Sequence, residues 1–313
     1  MIELQGVGKT YRPLLGRPVR AVDGVSITVR AGEVLGVAGP NGAGKSTLIG
    51  LLLGYLAPTD GTVAIEGEAP RGWVERNGVG YLSELVAIPP QWTAGAALRR
   101  YATLAGIPAA AVEAEVRRVA DEFGVAEQLG KRMRTLSKGN AQRVGLAQAM
   151  LGDFRVMVLD EPTHGLDPVW TARFRDTVAA LRRPDRAILV ASHNLDELQR
   201  VADRVAIVDR GVLQRVVETR AGAGDGAAVY HLAFASGAEL AEHVFPGAVR
   251  AVAGAVEVHV SDLAALNRGL SELLSRGAVL SAVTPAHSEL EREFRRAVGE
   301  GAAAGGGSGG DVG

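Results

Sequence analysis

Apolar runs of strand length alternate with segments of helical spacing along most of the chain. Two alternating patterns, at 2–11 and 21–29, predict two strands. Short apolar runs predict further strands at 34–38, 62–65, 79–82, 156–159, 187–191 and 205–208. Helical spacing covers residues 93–151, 168–183 and 195–201. Strands that alternate with helices predict an α/β fold with a largely parallel sheet.

A change in composition separates a first domain, at 1–218, from a smaller second one. Gly and Ala predominate at 219–228, which indicates a linker. Beyond it the pattern predicts strands at 229–234, 256–260 and 278–283, and helices at 238–244, 263–274 and 288–298. We interpret residues 229–300 as a small α+β domain of ferredoxin-like type without a catalytic motif. The Gly-rich residues 301–313 are expected to form a disordered tail.

Composition excludes several classes of protein. The 313 residues are 47% hydrophobic, which is typical of a globular chain. The absence of cysteine excludes disulfides, zinc–thiolate sites and thiol catalysis. The formal net charge of −1 provides no general attraction to nucleic acid. No signal peptide is visible, and no apolar run approaches the roughly 20 residues of a membrane helix, so a cytoplasmic protein is expected.

A glycine-rich loop joins the strand at 34–38 to the next helix. In order, its residues are Gly39, Pro40, Asn41, Gly42, Ala43, Gly44, Lys45, Ser46 and Thr47, which satisfy the P-loop pattern G-x-x-x-x-G-K-[ST]. Glycine allows consecutive N–H groups to point inward, and the helix N-terminus adds positive potential. Lys45 is expected to reach the β- and γ-phosphates of ATP, Ser46 to bind Mg²⁺ and Thr47 to contact the α-phosphate.

Two carboxylates follow the apolar strand at 156–159. Asp160 is expected to hold Mg²⁺, directly or through water, because a buried parallel strand ends at the ligand edge of the sheet. Glu161 points elsewhere and is the candidate general base for the attacking water. An acidic cap after a strand is the alternative interpretation.

Two further segments carry candidate ligands of a phosphate. Ser137 and Gly139 begin a helix, where they act either as ordinary capping residues or as an anion site that serves the ATP of a second subunit. His193 follows the strand at 187–191 and could hydrogen-bond the γ-phosphate and orient water.

In this order the segments resemble an ATP-binding cassette, the ATPase subunit of an ABC transporter, over residues 1–218. The resemblance implies a RecA-like parallel sheet with an antiparallel β subdomain and a helical subdomain at about 93–150. It identifies 39–47 as Walker A, 136–140 as the signature, 156–161 as Walker B and 165–168 as the D-loop. Tyr11 matches the aromatic that stacks on adenine in this family, although packing alone also explains an aromatic at a strand end.

The same resemblance implies how such a subunit works. Two copies, or one copy and a homologous ATPase subunit, form a head-to-tail dimer. Each ATP lies between the P-loop of one and Ser137 and Gly139 of the other, and Asp167 links the two sites. Integral membrane permease subunits contact the helical subdomain, so the protein is expected on the cytoplasmic face of the membrane, with ATP and Mg²⁺ as cofactors.

Two positions depart from the usual family pattern. Glu84 stands where the family has Gln, and it can reach Mg²⁺ or water but lacks an amide donor. Asn140 stands where the signature ends in Gln. Both variants, and the segment 288–294, resemble the branch that serves ABC-2-type drug- and sodium-efflux-like exporters, although 288–294 also fits a plain amphipathic helix.

Two other functions are considered. A soluble ABC ATPase that acts on ribosomes or DNA is opposed by the single cassette, the lack of a long coiled coil and the near-neutral charge. Another P-loop enzyme, such as a kinase, leaves Ser137, Gly139 and His193 unexplained.

Overall fold

The computed structural model describes residues 1–13, 15–219, 228–250, 255–285 and 289–304. The chain forms two compact units: the larger is Met1–Ala221 with Glu293–Gly313, and the smaller is Gly222–Arg292. Most of the predicted linker, residues 220–227, lies outside the described residues.

The larger unit contains two sheets. Its strands are β1 (Ile2–Tyr11), β2 (Val19–Val29), β3 (Val34–Ala38), β4 (Asp60–Ile65), β5 (Gly80–Leu82), β6 (Val156–Asp160), β7 (Ala187–Ser192), β8 (Arg204–Asp209) and β9 (Val212–Glu218). Strands β5-β6-β7-β3-β8-β9 form one sheet in that order, parallel except for the antiparallel hairpin of β8 and β9. Strands β2-β1-β4 form the second sheet, which is antiparallel. The predicted α/β fold, with a largely parallel sheet and an antiparallel β subdomain, is confirmed.

Burial explains why the central strands are uniformly apolar. Every residue of β3, β6 and β7 is buried, because helices and the second sheet cover the faces of the parallel sheet. The antiparallel sheet contributes Ile2, Leu4 and Val25 to the same core. The strand ends that carry the candidate site therefore rest on a rigid base.

Among the described residues, seven α-helices lie entirely within the larger unit. They are α1 (Lys45–Leu52), α2 (Pro70–Asn77), α3 (Ala94–Leu104), α4 (Ala109–Glu122), α5 (Lys138–Ala149), α6 (Pro168–Leu181) and α7 (Leu195–Val201). Helices α3, α4 and α5 contact one another within the segment expected to be the helical subdomain. Thr93 caps α3 by accepting a hydrogen bond from the N–H of Ala96 at 3.2 Å.

Helix α2 is not predicted by the sequence pattern. It buries only Pro70 and Trp73, so its eight residues show no apolar periodicity. Pro70 starts the helix at a position where its missing N–H costs nothing. The indole of Trp73 donates a hydrogen bond to Glu66 at 3.1 Å, and this tertiary contact holds the helix in place.

The smaller unit is an α+β domain. Its elements are β10 (Ala228–Ser236), a 3-10 turn (Ala238–Leu240), α8 (Ala241–Val244), β11 (Val249–Arg250), β12 (Val256–Val260), α9 (Leu263–Ser275) and β13 (Val279–Pro285). The antiparallel order β11-β12-β10-β13, with helices after the first and third strands, is that of a split βαβ, ferredoxin-like sheet. The sequence pattern misses β11, which has only two residues.

The last described helix, α10 (Glu289–Ala304), crosses the boundary between the two units. The first four residues of the predicted tail are therefore helical, and the remaining residues, 305–313, lie outside the described residues.

Candidate functional site

The loop 39–44 joins β3 to α1 and leaves no room for side chains at two of its glycines. A Cβ on Gly39 would lie 2.4 Å from the carbonyl oxygen of Val208. A Cβ on Gly44, which has φ of 104°, would lie 2.5 Å from the carbonyl oxygen of Ala21. The strands β8 and β2 therefore press on the loop from both sides, and only glycine fits.

Lys45 begins α1 and is buried. Its Nζ donates hydrogen bonds to the carbonyl oxygens of Gly39 at 2.7 Å and Pro40 at 3.3 Å. The ammonium group thus lies inside the curve of the loop. Phosphate oxygens of ATP are expected to bind at the same place. Ser46 is exposed beside it, and Thr47 is half-buried.

Tyr11 lies next to the loop, as the adenine-stacking interpretation requires. Its hydroxyl is 3.4 Å from Oγ1 of Thr47, and its side chain is 40% exposed. The ammonium group of Lys9 lies 5.7 Å from the centre of the ring. An exposed ring at this place offers a surface for a flat base.

Asp160 ends β6 with its carboxylate buried near two others. Burial raises the pKa of Asp160 to about 6, the carboxylates of Glu84 and Glu161 add to the rise, and the ammonium group of Lys45 opposes it. The structure therefore brings Glu84, which follows β5, near the Walker B strand. Several carboxylates close to one lysine provide a field that favours a divalent cation.

Glu161 adopts a left-handed conformation, with φ of 48°, which is uncommon for a residue with a side chain. This turn directs its carboxylate away from that of Asp160 and toward the end of β7. There Oε1 accepts a hydrogen bond from the N–H of His193 at 3.0 Å, and Oε2 accepts one from the hydroxyl of Ser192 at 3.3 Å. The Nδ1 atom of His193 lies 2.8 Å from Oε2 of Glu161. Two of the predicted residues are thus paired directly.

Ser137 and Asp167 are both helix N-caps. Ser137 accepts a hydrogen bond from the N–H of Asn140 at 3.3 Å at the start of α5, and Asp167 accepts one from the N–H of Trp170 at 2.9 Å at the start of α6. Gly139 lies close to the loop that precedes α6, since a Cβ on Gly139 would be 3.0 Å from the carbonyl oxygen of Gly165. Among the described residues, no hydrogen bond joins Ser137 or Gly139 to the loop 39–47. The role of these two residues toward ATP stays a prediction that needs a second subunit.

Asn140 turns its side chain toward its own helix. Its Oδ1 accepts a hydrogen bond from Arg143, whose guanidinium also donates to the carbonyl oxygen of Gly124 at 3.0 Å and stacks on Trp170 at 4.2 Å. The amide that replaces the usual Gln therefore helps to hold α5 against α6.

Gln142 is a member of the site that sequence reasoning missed. It is 4% exposed, and its Nε2 donates to the carbonyl oxygens of Glu161 at 3.1 Å and Pro162 at 3.0 Å. This side chain connects helix α5 with the turn that carries Glu161. A polar residue among the apolar positions of a predicted helix was the available signal.

The residues present fit ATP with Mg²⁺. The loop 39–44 is held against β8 at Gly39 and against β2 at Gly44, whereas a Cβ on Gly42 would meet no atom within 4 Å, so the loop borders open space with room for phosphate oxygens. No group of three or more His, Asp or Glu within the described ranges could hold a metal by itself. Magnesium sites of nucleotide enzymes use one or two carboxylates together with phosphate oxygens and water, and Asp160, Glu84 and Ser46 supply protein oxygens of this kind.

Comparison with known proteins agrees with this geometry. The family model described as "ABC transporter" matches residues 22–164. A second model, "AAA domain, putative AbiEii toxin, Type IV TA system", matches residues 132–198. The chain is 32% identical to the ABC transporter ATP-binding protein NatA of Bacillus subtilis over 62% of this chain and 80% of that protein. The chain belongs to the ATP-binding proteins of ABC transporters.

Two further relatives differ in the direction of transport that their names state. The methionine import ATP-binding protein MetN of Caulobacter vibrioides is 39% identical over 70% of this chain and 66% of its own length. The Nod factor export ATP-binding protein I of Ralstonia nicotianae is 32% identical over 67% of this chain and 65% of its own length. The chain thus spans slightly less than two thirds of these two relatives.

A solved structure shares the fold of the larger unit. It is described as the dimeric structure of MJ0796, a bacterial ABC transporter cassette, and it matches 70% of this chain and 99% of its own with a TM-score of 0.65 at 21% identity. The larger unit therefore has the fold of an ABC transporter cassette. Within the described ranges, no helix is long and apolar enough to cross a membrane.

Proposed function

We propose that this ABC protein hydrolyses ATP as the energy-coupling subunit of a transporter and works with separate integral membrane permease subunits. The observation that carries the proposal is the pairing of Glu161 with His193, 2.8 Å apart, on the sheet edge that also carries Asp160 and the glycine loop. A carboxylate held in this way can accept a proton from water beside a bound γ-phosphate.

Each residue of the site takes one role in this proposal. The N–H groups of the loop 39–44, together with Lys45 and Thr47, bind the phosphates, and Tyr11 stacks on adenine. Asp160, Ser46 and Glu84 would hold Mg²⁺, which would supply charge neutralisation at the phosphates. Glu161 takes the proton of the attacking water, and His193 orients the reacting groups.

The second half of each site comes from another subunit in this proposal. Ser137 and Gly139 at the N-terminus of α5 face the phosphates bound by the partner, and Asp167 connects the two sites. Support comes from the fold shared with the dimeric cassette and from the position of these residues at exposed helix starts. The pairing is between two copies or between this chain and a homologous ATPase subunit.

Export is the direction of transport that we propose. It rests on Glu84 and Asn140, which resemble the ABC-2-type branch, whereas the names of the relatives include both import and export. Attachment to the cytoplasmic face of the membrane through the permease follows from the same proposal.

The catalytic assignment is tested by Glu161→Gln. We expect phosphate release from Mg-ATP to fall by at least a hundredfold while ATP binding is retained, because the amide keeps the shape but cannot accept the proton. Glu75→Gln is the matched control, since the Glu75 side chain is 64% exposed and pairs with Arg71 on α2. Turnover of Glu161→Gln at the wild-type rate would refute the assignment.

The transport assignment is tested by purification of tagged Glu161→Gln protein from its host in mild detergent with Mg-ATP. Copurification of a polytopic membrane protein is the expected result. A ribosomal or DNA-bound partner would instead refute transport and leave the ATPase chemistry intact.

A further inference from the structure

Glu197 is a buried carboxyl group next to the site that has no role in the proposed chemistry. It lies in the first turn of α7 and is 3% exposed. The hydroxyl of Thr163 donates a hydrogen bond to its Oε2 atom. Its Oε1 atom is buried and has no hydrogen-bond partner among the described residues. Burial of a carboxyl oxygen without a hydrogen-bond partner lowers the stability of the folded state, so the position of Glu197 needs a physical explanation.

The local sequence provides an ordinary explanation, which the structure does not support. Asn194 and Glu197 fit a capping box, in which the acid at the third helical position accepts a hydrogen bond from the N–H of the cap residue. Only half of the box is formed: Asn194 Oδ1 accepts from the N–H of Glu197 at 3.3 Å. The N–H of Asn194 donates to the hydroxyl of Ser192 at 3.1 Å instead. The carboxyl of Glu197 is therefore free to face Thr163.

Ser192 lies between two carboxyl groups. Its hydroxyl donates to Oε2 of Glu161 at 3.3 Å and also lies within hydrogen-bonding reach of Glu197. A hydroxyl has one proton, so it serves one carboxyl at a time. If Glu197 carries its own proton, the Ser192 hydroxyl remains with Glu161.

The surroundings of Glu197 make its neutral form more favourable than it is in water. Burial raises its pKa to about 7, and the nearby charge of Glu161 acts in the same direction. The Thr163 hydroxyl, His193 and Ser192 oppose the rise. A neutral carboxyl at this place keeps a second negative charge away from Glu161.

We propose that Glu197 is a positioning residue for ATP hydrolysis, which holds the turn after β6 and the end of β7 together so that Glu161 and His193 remain paired. Thr163 provides the contact with the turn after β6, and Glu197 itself lies in the first turn of α7, which follows the end of β7 after two residues. Thr163 also precedes the segment that leads to Asp167, so the same contact connects the base with the region expected to face a second subunit. This inference rests on the proposed role of Glu161.

The hydrogen bond is tested first at Thr163, where an isosteric change is available. Thr163→Val keeps the shape and removes the hydroxyl, and Thr163→Ser keeps the hydroxyl as the matched control. We expect kcat of Thr163→Val to fall about tenfold with KM for ATP within twofold of wild type, together with a lower melting temperature because the buried carboxyl of Glu197 loses its hydrogen bond. We expect Thr163→Ser to remain within threefold of wild type.

Glu197 is then changed in two ways. In Glu197→Gln the side chain is neutral, has the same shape and can still accept the hydrogen bond from Thr163. This variant should therefore keep most of the activity, whereas Glu197→Ala should lose it. The double variant Thr163→Val/Glu197→Ala should be no slower than Glu197→Ala alone, because both changes break one contact.

Three results would overturn the inference: wild-type kcat in Thr163→Val, a loss confined to KM or to the melting temperature, or additive effects in the double variant. Glu161→Gln, measured in the same series, separates this inference from the proposed function. If Glu161→Gln is inactive but Thr163→Val is not impaired, only the positioning role of Glu197 is wrong. If Glu161→Gln turns over normally, the base assignment is wrong.

Discussion

The buried acid Glu197 should give the larger unit a pH-dependent stability that Glu197→Gln abolishes. Burial raises the pKa of this group from 4.5 to about 7, so the folded state binds its proton more tightly than the unfolded state does. The stabilisation is therefore complete below about pH 4.5 and is lost as the pH rises toward 7. A pKa difference of this size corresponds to about 3 kcal/mol, of which about 2.5 kcal/mol lies between pH 5 and pH 8.

The measurement is urea unfolding at pH 5 and pH 8 without nucleotide. The three tryptophans, Trp73, Trp92 and Trp170, all lie in the larger unit, so their fluorescence follows the unfolding of that unit. The free energy of unfolding of wild type should fall by about 2.5 kcal/mol more than that of Glu197→Gln over this range.

The comparison between the two proteins cancels the other titrating groups, which both proteins share. Glu75→Gln provides the control for loss of an exposed carboxyl and should follow wild type. Parallel pH dependence in wild type and Glu197→Gln would show that Glu197 titrates as an ordinary exposed acid, and it would refute the argument from burial.

Three further predictions concern the loop and the framework around it. Gly39→Ala places a Cβ 2.4 Å from a backbone oxygen of β8, so we expect ATP binding at least tenfold weaker in a nucleotide titration; wild-type affinity would contradict the loop geometry. Arg204→Met removes the guanidinium that lies 2.9 Å from the carboxylate of Glu33, which is only 7% exposed. The free energy of unfolding of the larger unit, measured in urea, should fall by about 3 kcal/mol. A loss below about 1 kcal/mol would show that backbone contacts are enough to stabilise the buried carboxylate. Trp170→Leu removes the ring on which the Arg143 guanidinium stacks and should lower the free energy of unfolding by about 1 kcal/mol. If the same substitution lowers it equally in a variant that already lacks the Arg143 guanidinium, the stacking contributes nothing to stability.

Local chemistry explains why so much of the site is visible in the sequence. The phosphate-binding loop consists of the consecutive residues 39–47, so its pattern can be recognised without knowledge of the tertiary structure. Asp160 and His193 each follow an apolar run, and parallel strands end at the same edge of a sheet. Such arguments need only the period of the pattern and the chemistry of the side chains, and they predict most strands of the larger unit as well as α6 and α7. They do not predict α2, and they do not divide the helical pattern at 93–151 into α3, α4 and α5.

Other features depend on contacts between segments far apart in the chain. Helix α2 is stabilised by the hydrogen bond from Trp73 to Glu66, and no local periodicity of apolar residues predicts it. The orientation of Glu161 depends on its left-handed backbone and on the end of β7, which lies about 30 residues later in the chain. The Asn194 and Glu197 pattern is that of a helix cap, and only the neighbouring turn at Thr163 gives Glu197 another partner.

The sequence by itself determined which residues can bind phosphate, hold magnesium and accept a proton, because these properties belong to the residue types and to their spacing along single elements. The tertiary structure decided which of them meet. Glu161 pairs with His193, Gln142 of helix α5 holds the turn that carries Glu161, and the carboxyl group of Glu197 is buried. Hydrogen bonds and burial depend on distances between elements, and those distances exist only once the sheet has formed and the helices have packed on it.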